Sequence, residues 1–324
     1  MENIITEDIS AGVVGLGLMG TGVVVSLLIS GHRVKAVAPL CEDLETAPER
    51  INYQLMKCAK SGLLSAPIDF YLSRLTISED FSELERCQIV LECVIEIPGI
   101  KETVFKAIEA VVNTEAVIAT NTSALPISDL QKYLLHPQRF LGIHWAEPSY
   151  LTPFMEITCG EKTDNKHAVW VYELAHQWGK EPTLLRKDLR GFITNRLMYA
   201  VYREGLHLVE NGSATLEDVD KSFRYDAGSW MTLMGIFRRM DLLGIKDYAR
   251  IFERVFPELC NDETVSPLME QMVEINARGT QNLKGLYHYN ETDAKKWDEA
   301  FVLFNEEIYK LASSYSVERK NKSR

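Results

Sequence analysis

The spacing of apolar positions changes once along this chain, near residue 190. Ahead of that point, short unbroken apolar runs alternate with helical patterns. "AGVVGLG" at 11–17 reads as a buried strand, and "TGVVVSLLIS" at 21–30 as a helix closed by Gly31. "VKAVA" at 34–38 predicts a second strand, and a helical stretch follows around Glu49–Ser61. "IVLECVI" at 89–95 predicts a third strand. "KETVFKAIEAVV" at 101–112 is an amphipathic helix with Val104, Phe105, Ile108, Val111 and Val112 on one side. "AVIAT" at 116–120 and "FLGIHW" at 140–145 are further strands. Strands alternating with helices predict a parallel, doubly wound α/β sheet.

From about Gly191 the period is helical almost throughout. The segments are "ITNRLMYAVYREGLHLVENG", "TLEDVDKSF", "PLMEQMVEINARG" and "ETDAKKWDEAFVLFNEEIYKLASSY". Asn211-Gly212 ends the first of these, and Thr215 caps the second. The pattern therefore predicts two domains, an α/β domain over residues 1–186 and an all-α C-terminal domain over 187–324. The last seven residues, "ERKNKSR", read as a solvated tail.

Between the first strand and the first helix stands "GLGLMG", Gly15–Gly20, which fits G-x-G-x-x-G. Strand, loop and helix in that order give the motif a physical meaning. Gly15 allows a tight turn, Gly17 allows a pyrophosphate to approach the backbone, and Gly20 allows the helix to pack on the strand. The N–H groups of Leu18, Met19 and Gly20 open the helix toward the phosphates. This predicts a Rossmann-type dinucleotide site. The acid that normally reads the ribose hydroxyls, about 20 residues on, is absent; the position is Ala38. No arginine occupies that turn, and Glu42, Asp43 and Glu45 follow it. Acids there repel a 2′-phosphate, so NAD is expected over NADP.

Composition narrows the class. Hydrophobic residues make up 46% and charged residues 25%, as in an ordinary soluble protein. A net charge of −11 argues against nucleic acid and anionic membranes as partners. Six scattered cysteines form no CxxC pair, which points to reduced thiols in a cytoplasmic protein and to no metal site. The uncharged run Ala11–Gly31 is long enough to cross a bilayer, but its glycine pattern is accounted for by the dinucleotide loop.

Further motifs follow in a fixed order: "LECVIEIPGIKETVF" at 91–105, "ATNTSALPISDL" at 119–130, "RFLGIHWAEPSYLTPFMEIT" at 139–158, "GFITNR" at 191–196 and "GLYHY" at 285–289. Together with the glycine loop they make the chain resemble the 3-hydroxyacyl-CoA dehydrogenases over nearly its whole length. The resemblance extends to the branches that act on free 3-hydroxy acids, the L-gulonate and carnitine dehydrogenases, and to diketoreductases. It implies that His144 is the catalytic base and Glu156 its orienting carboxylate. It implies that Ser123 contacts substrate and cofactor and that Asn195 lies near the substrate carbonyl. Glu96 and Lys101 are implied at the nicotinamide end of NAD. It further implies a homodimer through the C-terminal domain, a small-molecule 3-hydroxyacyl substrate and a place in fatty acid metabolism.

The chemistry of the residues agrees. Oxidising a secondary alcohol needs a base for the hydroxyl proton, and histidine titrates in the right range. A carboxylate on the next element would fix the imidazole tautomer. Ser123 and Asn195 would donate to an oxyanion in the reductive direction.

The chain also departs from the pattern. "HWAEP" puts Glu147 where the family has an asparagine near the cofactor, so Glu147 is expected to influence which substrates or cofactor states are accepted. A lysine ahead of "GLYHY" is replaced by Gln281. Where CoA-using members place a serine and a lysine, this chain has Gln54 and Ser61, with Lys57 and Lys60 nearby. Both a CoA thioester and a free 3-hydroxy acid therefore stand as substrates. Two other classes share this architecture: a non-catalytic structural protein of the same fold, against which the joint presence of His144, Glu156, Ser123 and Asn195 argues, and a 6-phosphogluconate-type dehydrogenase, whose catalytic lysine has no counterpart here.

Overall fold

The computed structural model describes residues 6–315, so the tail expected at 318–324 lies outside the described residues. The chain divides into two compact units, Met1–Arg196 and Leu197–Arg324.

The first unit is built on one sheet of eight strands in the order β3-β2-β1-β4-β5-β6-β7-β8. The strands are β1 (Ser10–Val14), β2 (Arg33–Val37), β3 (Leu75–Ser78), β4 (Ile89–Glu92), β5 (Val117–Thr120), β6 (Phe140–Trp145), β7 (Phe154–Cys159) and β8 (Glu181–Leu185). Every residue of β4 and β5 is buried, which is why their sequences are apolar up to the polar residue that ends each, Glu92 and Thr120. The edge strands are harder to read. β3 is four half-buried residues, and β8 carries Pro182, a residue that sheets confine to their edges.

All neighbours pair in parallel except β6 and β7, which are antiparallel. The sheet is otherwise parallel, as the alternation of strands and helices predicts, with this one antiparallel pair added. The connection runs only from Ala146 to Pro153, too short for the crossover that a parallel pair requires.

Helices cover both faces. On one lie α1 (Leu18–Ile29), α2 (Cys41–Lys60) and a helix over Asn165–Gln177, contributing Val24, Ile51, Leu55 and Leu174 to the core. On the other lies the helix Pro98–Val111, with Val104, Phe105 and Ile108 buried as its pattern predicts. α2 starts at Cys41, well before the expected stretch around Glu49, and Pro48 sits inside the helix on its exposed side. The apolar run 11–31 resolves into β1, the glycine loop and a 12-residue helix. No described helix is long and apolar enough to cross a membrane.

The second unit is helical. Thr215 caps the helix Leu216–Ser222 through a capping box with Asp218, as expected. Its burial is unusual. Among its described residues only Cys260 and Ala294 are buried, whereas Leu233, Phe237, Leu242 and Leu243 are exposed.

One lysine fixes the turn between β6 and β7. Lys180 is 4% exposed, and its ammonium donates to the carbonyls of Ser149 and Thr152, the latter at 2.8 Å. It also lies 5.3 Å over the Trp145 ring. Burial pushes its pKa down to about 8. The unfolded chain, with an ordinary lysine near 10.4, then binds more protons than the folded chain between these values. The sign follows: this group makes folding more favourable as pH rises from about 8 toward 10.5. The stability difference between wild type and Lys180→Met, from urea titrations at pH 7 and pH 9.5, is expected to move in favour of wild type at the higher pH. A difference independent of pH would refute this assignment.

Candidate active site

The glycine loop has the form of a cradle. Gly15 has φ +93°, and its N–H donates to Val37 at 2.9 Å, setting the loop on the end of β2. A Cβ on Gly20 would stand 1.8 Å from the Gly15 carbonyl oxygen, so only glycine lets α1 approach this closely. A Cβ on Gly17 meets nothing within 4 Å, which leaves open space beside the backbone. α1 begins here with no acid in its first turn, and the Leu18 side chain is exposed. Open space, a bare backbone and a helix N-terminus together fit a pyrophosphate. Ala38, at the end of β2, is buried and offers no carboxylate.

His144 and Glu156 are cross-strand partners, paired directly in the β6–β7 register. His144 Nδ1 lies 2.9 Å from Glu156 Oε2. The other oxygen, Oε1, accepts from the N–H groups of Ile193 at 2.9 Å and Thr194 at 3.0 Å. Glu156 is fully buried, and the His144 side chain is 17% exposed. Burial pushes the Glu156 carboxyl up, but the hydrogen bonds from His144, Thr194 and Ile193 outweigh it and hold the group below the usual carboxylate range. With the carboxylate as acceptor, Nδ1 carries the proton and Nε2 keeps its lone pair. A general base needs this tautomer. The Phe192 ring, 5.8 Å from the imidazole, packs beside it.

Asn195 follows directly in chain. Its Nδ2 donates to the Ser123 carbonyl at 3.1 Å. The Ser123 N–H donates to Glu96 Oε1 at 2.8 Å, the Thr122 hydroxyl donates to the same oxygen, and Lys101 reaches Glu96 Oε2 at 3.0 Å. Partial burial pushes Glu96 up; Thr122, Lys101 and the Ser123 N–H together bring it below the ordinary range. The structure thus brings together His144 with Glu156, and Ser123 with Asn195, Glu96 and Lys101. The Ser123 side chain is left exposed.

One member of this network is missing from the sequence expectation. Lys101 is buried and bonds both oxygens of Glu92, at 2.8 and 2.9 Å. Glu92 also accepts from Thr120 Oγ1 at 2.6 Å and Val94 N–H at 2.6 Å. Burial drives the Glu92 carboxyl upward, opposed by the Lys101 ammonium and these hydrogen bonds. The signal was present: Glu92 is the lone acid in an otherwise apolar strand.

The departures are placed as follows. Glu147 is exposed, and its carbonyl accepts from the Thr152 hydroxyl at 3.2 Å. Gln54 is buried and donates to Thr21 Oγ1 at 3.2 Å, so it faces α1. Ser61, Lys57, Lys60 and Gln281 are exposed.

Known proteins confirm the class. Residues 10–189 match the 3-hydroxyacyl-CoA dehydrogenase NAD binding domain, and residues 191–289 match the C-terminal domain of the same family. A 5-formyl-3-hydroxy-2-methylpyridine 4-carboxylate 5-dehydrogenase of Mesorhizobium japonicum is 27% identical over 87% of this chain and 91% of its own. An L-carnitine dehydrogenase of Staphylococcus epidermidis is 29% identical over 88% of this chain and 89% of its own. A solved structure of a 5-formyl-3-hydroxy-2-methylpyridine 4-carboxylic acid 5-dehydrogenase, an NAD+-dependent dismutase, superposes with a TM-score of 0.87 at 25% identity, covering 95% of this chain and 99% of that one. The chain, with its NAD-binding domain and its helical C-terminal domain, belongs to the 3-hydroxyacyl-CoA dehydrogenase family of NAD-dependent oxidoreductases.

Proposed function

We propose that the protein interconverts the hydroxyl and oxo forms of a small free carboxylic acid, with His144 as the base. The His144–Glu156 pair, 2.9 Å apart, carries this reading. Bound NAD supplies the hydride acceptor. His144 Nε2 takes the hydroxyl proton of the alcohol, and Glu156 stabilises the imidazolium that forms. In the reverse direction the imidazolium returns that proton to the carbonyl oxygen. The Ser123 hydroxyl and the Asn195 amide are the polar groups available to orient that oxygen.

A free acid is preferred to a CoA thioester for two reasons. Gln54, at one of the two positions where CoA-using members of the family place a serine and a lysine, turns inward to Thr21. The relatives from Mesorhizobium japonicum and Staphylococcus epidermidis are named for a pyridine carboxylate and for carnitine. The exposed Lys57 and Lys60 on α2 favour the CoA reading. A screen for NADH formation against carnitine, L-gulonate, simple 3-hydroxy acids and 3-hydroxybutyryl-CoA separates the two. Turnover of the thioester alone overturns the free-acid reading, and no turnover of any alcohol favours a non-catalytic role.

His144→Ala is expected to lower kcat by at least about 100-fold, a typical loss for a general base, while NADH affinity stays within about twofold. Glu156→Gln is expected to fall nearly as far. With its carbonyl oxygen kept on the Ile193 and Thr194 N–H groups, the amide NH2 would face Nδ1 and move the ring proton to Nε2. Near-normal turnover in either variant on the best substrate refutes the assignment.

We also propose self-association through the second unit, whose helices bury so little in the single chain. A homodimer would cover residues such as Phe237 and Leu242. Sedimentation at micromolar concentration is expected to give twice the chain mass of 36.8 kDa; a species of the single-chain mass argues against it.

A further inference from the structure

The end of β2 leaves a task unfilled. Dinucleotide folds read the adenosine ribose there with an acid, or accommodate a 2′-phosphate with a nearby arginine. Here the position is Ala38, 1% exposed. The structure supplies both an acid and an arginine from the next element. Arg50 on α2 donates from Nη1 to the Leu16 carbonyl of the glycine loop at 2.8 Å. The same nitrogen lies 3.3 Å from Asp43 Oδ1, and Nη2 donates to the Thr46 hydroxyl. The Asp43 carboxylate, in the first turn of α2, is thereby held one guanidinium away from the glycine loop. Its side chain is 19% exposed and that of Arg50 35% exposed.

We propose that Asp43, held by Arg50, which Thr46 in turn braces, replaces the missing acid as the residue that selects NAD against NADP. Arg50 engages Oδ1, which leaves Oδ2 to accept a ribose hydroxyl. The arginine by itself would invite a 2′-phosphate, because guanidinium groups bind phosphate oxygens with strong charge-assisted hydrogen bonds. Asp43 occupies that guanidinium and adds a negative charge in the same place. Glu42 and Glu45 lie close to Asp43 in sequence but are exposed, and the carboxylate that pairs with Arg50 is that of Asp43, so the discrimination rests on Asp43. An ion pair that served only the surface of α2 would contribute little and would not distinguish two coenzymes.

The test is coenzyme binding alone, by fluorescence titration of NADH and NADPH, so it is independent of which alcohol the enzyme oxidises. Wild type is expected to prefer NADH. Asp43→Ala is expected to weaken NADH about tenfold, the loss of one hydrogen bond to a charged group, and to tighten NADPH by a similar factor. Asp43→Asn keeps the side-chain shape and serves if the alanine variant folds poorly; it is expected to gain NADPH affinity while losing less for NADH. Adding Arg50→Met to either variant is expected to remove the NADPH gain. An NADH-to-NADPH affinity ratio unchanged within about twofold in folded Asp43→Asn overturns the proposal. So does a gain in NADPH affinity that survives Arg50→Met.

Discussion

The register of β6 against β7 sets the position of His144. An antiparallel pair brings facing residues together directly, and this register makes His144 and Glu156 such a pair. A slip of β7 by one residue would turn Glu156 to the face opposite His144. Glu156 then does more than hold the imidazole. Its second oxygen gathers the Ile193 and Thr194 N–H groups, which places Asn195 where its amide reaches the Ser123 carbonyl. Ser123 leads to Glu96, and Glu96 through Lys101 to Glu92 in the middle of the sheet. Strand pairing, carboxylate burial and the candidate site are therefore one connected arrangement. Removing one partner of a buried pair such as Lys101–Glu92 strands a charge, a loss of roughly 3–5 kcal/mol.

The central strands and the glycine loop were legible because burial on both faces leaves a plain apolar run, and a tight cradle leaves glycines. His144 and Glu156 were legible through motif order. Their contact depends on a pairing direction that apolar runs do not encode, and the short Ala146–Pro153 connection was the available clue. β3 and β8 were not legible, being short, half-buried and, in β8, interrupted by Pro182. Glu92 went unnoticed because its role depends on Lys101 nine residues later, on another element. The near absence of buried residues among the described residues of the second unit is a property of its packing, and apolar periodicity in its helices gave no sign of it.

α2 shows how one helix separates two recognition tasks. Thr46, Arg50 and Gln54 recur at four-residue intervals and so share a face. Arg50 reaches the Leu16 carbonyl, and Gln54 reaches Thr21, whose hydroxyl in turn donates to the Gly17 carbonyl at 3.0 Å. That face braces the cradle. Lys57 and Lys60 are exposed, with the Lys57 ammonium 4.6 Å over the Tyr53 ring. A side chain cannot serve both faces. Turning Gln54 inward supports the dinucleotide loop and withdraws that position from the exposed surface that a bulky phosphorylated thiol would need. The inward face of the helix is thus committed to the dinucleotide loop, while Lys57 and Lys60 stay on its exposed side.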